Sequence, residues 1–216
     1  RFPARVLFLE KHDLLKGAPA KCEKYDAWKN RISIQSASLV FSSYYLNNPS
    51  SAFGHTFLRL HNSKAVSSSG EHFELLDNGV NFSANPWTQN PFLYALMGLV
   101  GGFKGTFTAV PYYYKVREYN DFEARDLWSY DLNLSADELE MLVAHLWELG
   151  QTHYDYFYFD ENCSYHMLTT LEAAAPRLRL TEHLPFYVIP SETIRVVGET
   201  PGLVSKISFR PSIRAL

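Results

Sequence analysis

Cysteine is scarce in this chain of 216 residues, with only Cys22 and Cys163 present. Two cysteines cannot make a disulfide scaffold, which needs several bridges to replace a core. A single Cys22–Cys163 bridge is the one pairing left open. An excess of charge of either sign is also lacking, since the formal net charge is -3 and the pI near 6.3. The basic residues are scattered, so no electrostatic footprint for nucleic acid exists. No apolar run approaches the roughly 20 residues a membrane-crossing helix requires, and no signal-peptide pattern is visible. The chain begins at Arg1 and not at methionine, which reads as a processed or trimmed form. The nucleophile-elbow pattern G-x-S-x-G is missing, as are H-E-x-x-H, His-x-His and the glycine-rich phosphate loops; G-G-F-K-G has the wrong spacing. No cofactor is called for and no metal-ligand set is recognised. His55 and His61 lie about 20 Å apart along an extended strand and cannot share an ion.

Hydrophobic residues make up 46 % of the chain and charged residues 20 %, enough for one packed domain over residues 1–216. Residues 1–34 read as an N-terminal helical extension, 35–185 as the core and 186–216 as a proline-punctuated tail. Val6, Leu7, Leu9, Leu14 and Leu15 give an apolar stripe broken by Gly17 and Pro19, and a second short helix is expected over 21–30. Strands are expected over 36–45 and 53–61, joined by a turn at Asn47, Asn48, Pro49, Ser50 and Ser51. Two more are expected over 72–76 and 80–84, around a turn at Asp77, Asn78 and Gly79. Residues 78–103 carry no charge. Their centre reads as a short apolar helix closed by glycines, either buried or dipping into an interface. A strand over 105–116 broken by Pro111, a charged helix over 117–128 and a strand over 128–134 follow. Ser135 and Glu138 form a capping box ahead of the stripe Leu139, Leu142, Val143, Leu146 and Leu149. Ser191 opens a late helix, and 203–209 reads as a last strand. No repeat or low-complexity tract occurs.

The stretch that organises the rest is 156–176, Y-F-Y-F-D-E-N-C-S-Y-H-M-L-T-T-L-E-A-A-A-P. Asn162 is a good N-cap, helical spacing of Met167, Leu168 and Leu171 follows, and Pro176 ends the helix. Cys163 therefore falls in the first turn, where free amides and the positive end of the macrodipole favour a thiolate and can hold an oxyanion. The same position suits a small, inert, buried cysteine. A thiol nucleophile needs a base, and two histidines compete. His166 flanks Cys163 on the same helix. His55 sits in a strand beside Gly54 and shares a face with Phe53, Phe57, Arg59 and His61. A third polar group normally orients the ring. Asn81 is selected from the neighbouring strand piece, with Ser83 and Asn85 on the same face.

The segments S-S-A-F-G-H-T-F-L-R-L-H, L-V-G-G-F-K-G-T-F-T-A-V-P-Y-Y-Y-K-V-R-E-Y-N, E-A-R-D-L-W-S-Y-D-L-N-L and Y-F-D-E-N-C-S-Y resemble the Lnb N-terminal periplasmic domain family over about residues 35–185. The order His55 before Cys163 is also similar to circularly permuted NlpC-type papain-like enzymes. There N-C-E-H-F of the lecithin–retinol acyltransferases parallels N-C-S-Y-H here. The resemblance implies an α+β fold with a permuted papain-like core, in which an antiparallel sheet packs against the helix that bears the cysteine. It implies a periplasmic, membrane-associated bacterial protein and N-acylation of lipoproteins from a phospholipid donor. It makes Cys163 the nucleophile and His55 the base, and leaves the third residue open. The chain departs from full-length lipoprotein acyltransferases in carrying no membrane-spanning stretch.

The expectation is thus a cysteine-dependent acyltransferase or hydrolase acting on a lipid ester. Cys163, His55 and Asn81 are its catalytic set, and Asn162 serves the oxyanion or positions the sulfur. Phospholipid or lipoprotein acyl chains and a membrane surface are the expected partners. The uncharged segment and the tyrosine clusters (Tyr112 to Tyr114, and 156–159) would receive them. A cell-wall peptidase or amidase of NlpC type, with a polar open groove, is the nearest alternative. A non-catalytic envelope binding domain with a structural Cys163 is the other.

Overall fold

A computed structural model describes residues 2–15, 17, 21–45 and 52–213. Seven strands form one antiparallel sheet: β1 (Ile34–Ser42), β2 (His55–Asn62), β3 (Asn78–Asn85), β4 (Phe103–Pro111), β5 (Leu127–Leu132), β6 (His153–Tyr156) and β7 (Val204–Arg210). Their order across the sheet is β6-β4-β3-β2-β1-β5-β7. The α+β class and antiparallel sheet are those the resemblance implies. The tail contributes β7, which pairs with β5 at one edge.

β2 is buried on both faces, as a central strand should be. On one face Leu58 and Leu60 join the main core, covered by α5 (Ala136–Leu149) and α6 (Cys163–Ala174). On the other face Phe57 joins Tyr112, Val116, Tyr119 and Leu127. That smaller cluster is carried largely by α4 (Tyr112–Lys115) and the π-helical turn Val116–Phe122. Each face of one strand thus meets a different layer.

α5 forms for the reasons its sequence gives. Ser135 Oγ accepts from the Glu138 amide at 3.3 Å, and Glu138 Oε2 accepts from the Ser135 amide at 2.8 Å. Leu139, Leu142, Val143, Leu146 and Leu149 are all buried. α1 (Pro3–Lys11) lies against α5, and α2 (Glu23–Ile32) leads into β1. α7 (Pro190–Glu199) begins one residue before Ser191.

Several expected elements differ. Residues 72–76 are not a strand: His72 makes an isolated bridge with Val66, and Glu74–Leu76 is a 3-10 turn. Asn78 and Gly79 already belong to β3, because the Asp77 carboxylate is drawn inward by Arg59, His72 and the Asn62 amide and so ends the connection at Asp77. Residues 112–116 leave the sheet, since Pro111 ends β4 and Tyr112 is pulled under the sheet against Phe57. The helix expected over 117–128 closes at Phe122. β6 has no counterpart in the sequence reading. Pro19 and the turn at Asn47, Asn48, Pro49, Ser50 and Ser51 lie outside the described residues.

The apolar helix α3 (Pro91–Leu99) is capped by Asn90, whose Oδ1 accepts from the Phe92 and Leu93 amides. It is not a core helix, because only Gly98 is buried and Phe92 is 80 % exposed. Among the described residues no helix is long and apolar enough to cross a membrane.

Candidate active site

Cys163 opens α6 and its side chain is buried. Asn162 fixes that opening. Its Oδ1 accepts from the amides of Ser164 at 2.9 Å and Tyr165 at 3.3 Å. Its Nδ2 donates to the carbonyls of Tyr158 at 2.9 Å and Val188 at 2.6 Å. The side chain is therefore a clamp joining three segments, with every polar atom engaged. The backbone amide of Asn162 donates to the Asp160 carbonyl.

His55 is the first residue of β2, at the sheet end where the N-terminus of α6 arrives. Gly54 before it has φ +95, and a Cβ there would lie 2.5 Å from the Phe41 ring and 2.8 Å from the Ser42 carbonyl. Only glycine fits that approach. Phe57 and Tyr119 wall the imidazole at ring separations of 6.3 and 5.7 Å. Asn81 lies on β3, one step beyond the paired Leu58 and Val80, on the face that bears His55. Its Oδ1 is hydrogen-bonded to His55 Nε2. Nδ1 is then the ring nitrogen left to meet the sulfur.

Burial pushes the Cys163 thiol up. The His55 charge, a hydrogen bond from the His55 side chain and hydrogen bonds from the Thr56 amide and hydroxyl more than offset it. The balance lowers the thiol from 9.0 to about 7. Cys163 and Cys22 are not joined by a disulfide.

Cys163, His55 and Asn81 thus form one contiguous line, with Asn162 holding the sulfur's helix in place. The other candidates stand apart. His166 packs against Phe82 with ring centroids 4.0 Å apart and planes tilted by 43°, beside the main core, and burial lowers its pKa to about 4. Asn85 bonds Thr106 Oγ1.

Two residues escaped the sequence reading. Thr56 supplies donors to the sulfur and also contacts Ser164 Oγ at 3.2 Å. Strand alternation set it on the face opposite His55, which hid that the helix start sits at the strand end. Tyr156 reaches the site from β6, and its hydroxyl accepts from the Cys163 amide. Its signal was only the aromatic run ahead of the cysteine. Burial raises that phenol well above its ordinary value, so the hydroxyl keeps its proton.

A small pocket of about 40 Å³ opens onto Cys163, walled by Phe53, Gly54, Tyr156, Tyr158, Phe159 and Ile189 among others. Phe53 and Phe159 meet edge to face at 5.8 Å on its rim, and both are exposed. The amide of Val188 donates to the Phe159 carbonyl, and the preceding Phe186 and Tyr187 are exposed. The amide of Tyr158 donates to the Gly98 carbonyl, which joins α3 to the pocket wall.

The profile described as the Lnb N-terminal periplasmic domain matches residues 24–200. No curated protein and no solved structure gives a significant match.

Proposed function

The chain belongs to the Lnb N-terminal periplasmic domain family, a family of extracytoplasmic domains, and from that premise we propose that it is a thiol-dependent acyl-transfer enzyme with a permuted papain-like core. The single observation that carries the reading is the line from Asn81 through His55 to a Cys163 thiol lowered to about 7. A nucleophile, a base and an orienting group in that order is what covalent acyl transfer requires.

In this reaction the Cys163 thiolate attacks the ester carbonyl of a lipid. A sulfur–carbon bond forms and the carbonyl electrons move onto oxygen. The Tyr156 hydroxyl, polarised by the Cys163 amide it accepts from, is the donor placed to meet that oxyanion. Collapse expels the lysolipid alkoxide, which takes the proton held by His55. The thioester is then attacked by an amine, or by water, whose proton passes to His55 as the thiolate leaves. Asn81 keeps the ring turned through both steps. Asn162 positions the sulfur and has no side-chain donor left for the oxyanion.

The surroundings favour a lipid over a polar substrate. The walls at Cys163 are aromatic and aliphatic. The pocket of about 40 Å³ is far below the roughly 300 Å³ or more of a site that encloses a whole small ligand. It admits the ester carbonyl alone, while the chain lies along the exposed rim of Phe53 and Phe159. Phe92, Leu96 and Leu99 of α3 extend that apolar surface, which suits contact with a bilayer. A cell-wall peptide would need hydrogen-bonding walls at this position.

The test is intact-mass measurement after incubation with phosphatidylethanolamine vesicles. An acyl adduct is expected on Cys163, absent in Cys163→Ser and strongly reduced in His55→Ala. A protein whose alkylation-competent thiol acquires no adduct from any lipid ester is not this enzyme.

A further inference from the structure

The far end of β2 holds a second cluster, built from different residues. It lies about 20 Å along the strand from His55, at 3.3 Å per residue. His61 stands near the end of β2, Asp77 immediately before β3, and His72 on the connection between them. That connection is held in place. Val66 bridges His72, the Ser67 amide donates to the Glu71 carbonyl at 2.7 Å, and the Phe73 amide donates to the Ala65 carbonyl at 2.7 Å.

His61 Nδ1 lies 3.6 Å from Asp77 Oδ2, and His72 Nε2 lies 2.9 and 3.0 Å from the two Asp77 oxygens. The ligand atoms all fall within 4.8 Å of one another. Bonds of about 2.0–2.1 Å to a tetrahedral ion place its ligands about 3.3 Å apart, which these separations bracket. The His61–Asp77 distance is too long for a hydrogen bond and right for two atoms that share an ion.

The outer contacts fit the same reading. Ser38 Oγ donates to Asp131 Oδ1 at 2.6 Å, so it accepts from Nε2 of His61 and leaves the Nδ1 lone pair directed at Asp77. A histidine whose other nitrogen is fixed by such a relay is the usual form of a metal-ligating histidine. Asp77 is fully buried and is steadied by Arg59 Nε at 2.8 Å and the Asn62 amide at 2.8 Å. Arg59 is itself paired with Glu74, which also meets Arg210. The carboxylate has lone pairs beyond those two donors. The cluster borders a cavity of about 750 Å³, where Lys206 and Asp131 also stand.

We propose that His61, His72 and Asp77 bind one divalent transition-metal ion of the zinc class, with the remaining coordination position facing this cavity. Two imidazoles and one carboxylate make a donor set suited to zinc. The ion ties the 63–77 connection to β2 and presents an exchangeable water, or an anionic ligand, to the cavity. The spacing 61, 72 and 77 matches no short motif, which is why it is silent in the sequence.

The test is titration of tag-free protein with Zn²⁺ by calorimetry, with bound metal counted after dialysis and thermal unfolding followed in parallel. One equivalent is expected for the parent and for Cys163→Ser, with a raised unfolding temperature. Affinity is expected to fall by at least ~10-fold in Ser38→Ala, the low end of the ~10- to 100-fold range for groups that support a ligand, and by more than the top of that range in His72→Ala and in His61→Asn, which lose a ligand outright. The absence of a saturable equivalent in the parent overturns the proposal. So does an equivalent retained at full affinity in both histidine variants. An equivalent lost only in Cys163→Ser assigns the ion to the thiolate and also overturns it.

Discussion

Asn81 Oδ1 holds Nε2 of His55 from the adjacent strand, so the orientation of the imidazole that faces Cys163 is set by a residue that never touches the sulfur. Replacing Asn81 with Ala should therefore leave the thiol present but loosen its partner. Formation of the acyl adduct should slow by about 10- to 100-fold, the scale of a misplacement of an ångström or so. Intact-mass kinetics with circular dichroism as a folding control will check this. An unchanged rate would remove Asn81 from the machinery.

The Cys163 thiol is lowered to about 7, so its thiolate fraction is high above that pH and is lost as pH falls through it. Alkylation by iodoacetamide should show a midpoint near 7, where an ordinary thiol gives about 8.5. In His55→Ala the upward push of burial is no longer matched by the imidazole, so the midpoint should rise above that of the parent. Peptide mass analysis at a series of pH values reads both. A parent midpoint at 8.5 or higher would contradict the site described here.

Tyr156→Phe separates transition-state stabilisation from thiol activation. The variant removes the hydroxyl beside the Cys163 amide and leaves His55 and Thr56 in place. Alkylation should keep the parent's pH midpoint, while acyl-adduct formation should slow by about 100- to 1000-fold, the cost of one oxyanion donor. Equal loss in both assays would mean that Tyr156 merely supports the fold.

Asn162→Ala should act first on stability. It removes a helix cap, about 1 kcal/mol, and leaves the half-buried Tyr158 carbonyl and one fully buried carbonyl, that of Val188, without their donor. With about 1–3 kcal/mol for an unmet buried group, the total should be about 2–4 kcal/mol. Urea unfolding measures it. A loss under 0.5 kcal/mol, on the order of an ordinary surface substitution, would show that the clamp is unimportant.

Phe92 projects from α3 with most of its surface in water. Phe92→Ser should weaken co-sedimentation with phospholipid vesicles and leave the Cys163 alkylation profile intact. Undiminished vesicle binding would exclude α3 from the membrane-facing surface.

Local chemistry carried much of this into the sequence. The capping box at Ser135 and the N-cap at Asn162 are short-range hydrogen-bond patterns, and both helices begin where those patterns place them. Alternation marked β2 and put His55 and Phe57 on one face. What was not legible depended on tertiary demand. Tyr112 turns under the sheet because Phe57 needs a partner there, and no local feature of Tyr112 to Tyr114 distinguishes a helix from a strand. The 72–76 stretch looks like a strand, yet a carboxylate at Asp77 collects Arg59, His72 and the Asn62 amide and holds the connection in another shape. Thr56 was hidden for a geometric reason: a helix end at a strand end can receive donors from both sides of the strand.

The sulfur and the ring that activates it are separated by 108 positions in the chain, from 55 to 163. Before β2 and α6 meet, Cys163 lacks the His55 and Thr56 contacts that lower it and is an ordinary thiol. Completed folding lowers the thiol, and the same event closes it behind Phe53 and Tyr158. The ionisation of this one sulfur is therefore a report on whether the two distant parts of the chain have come together.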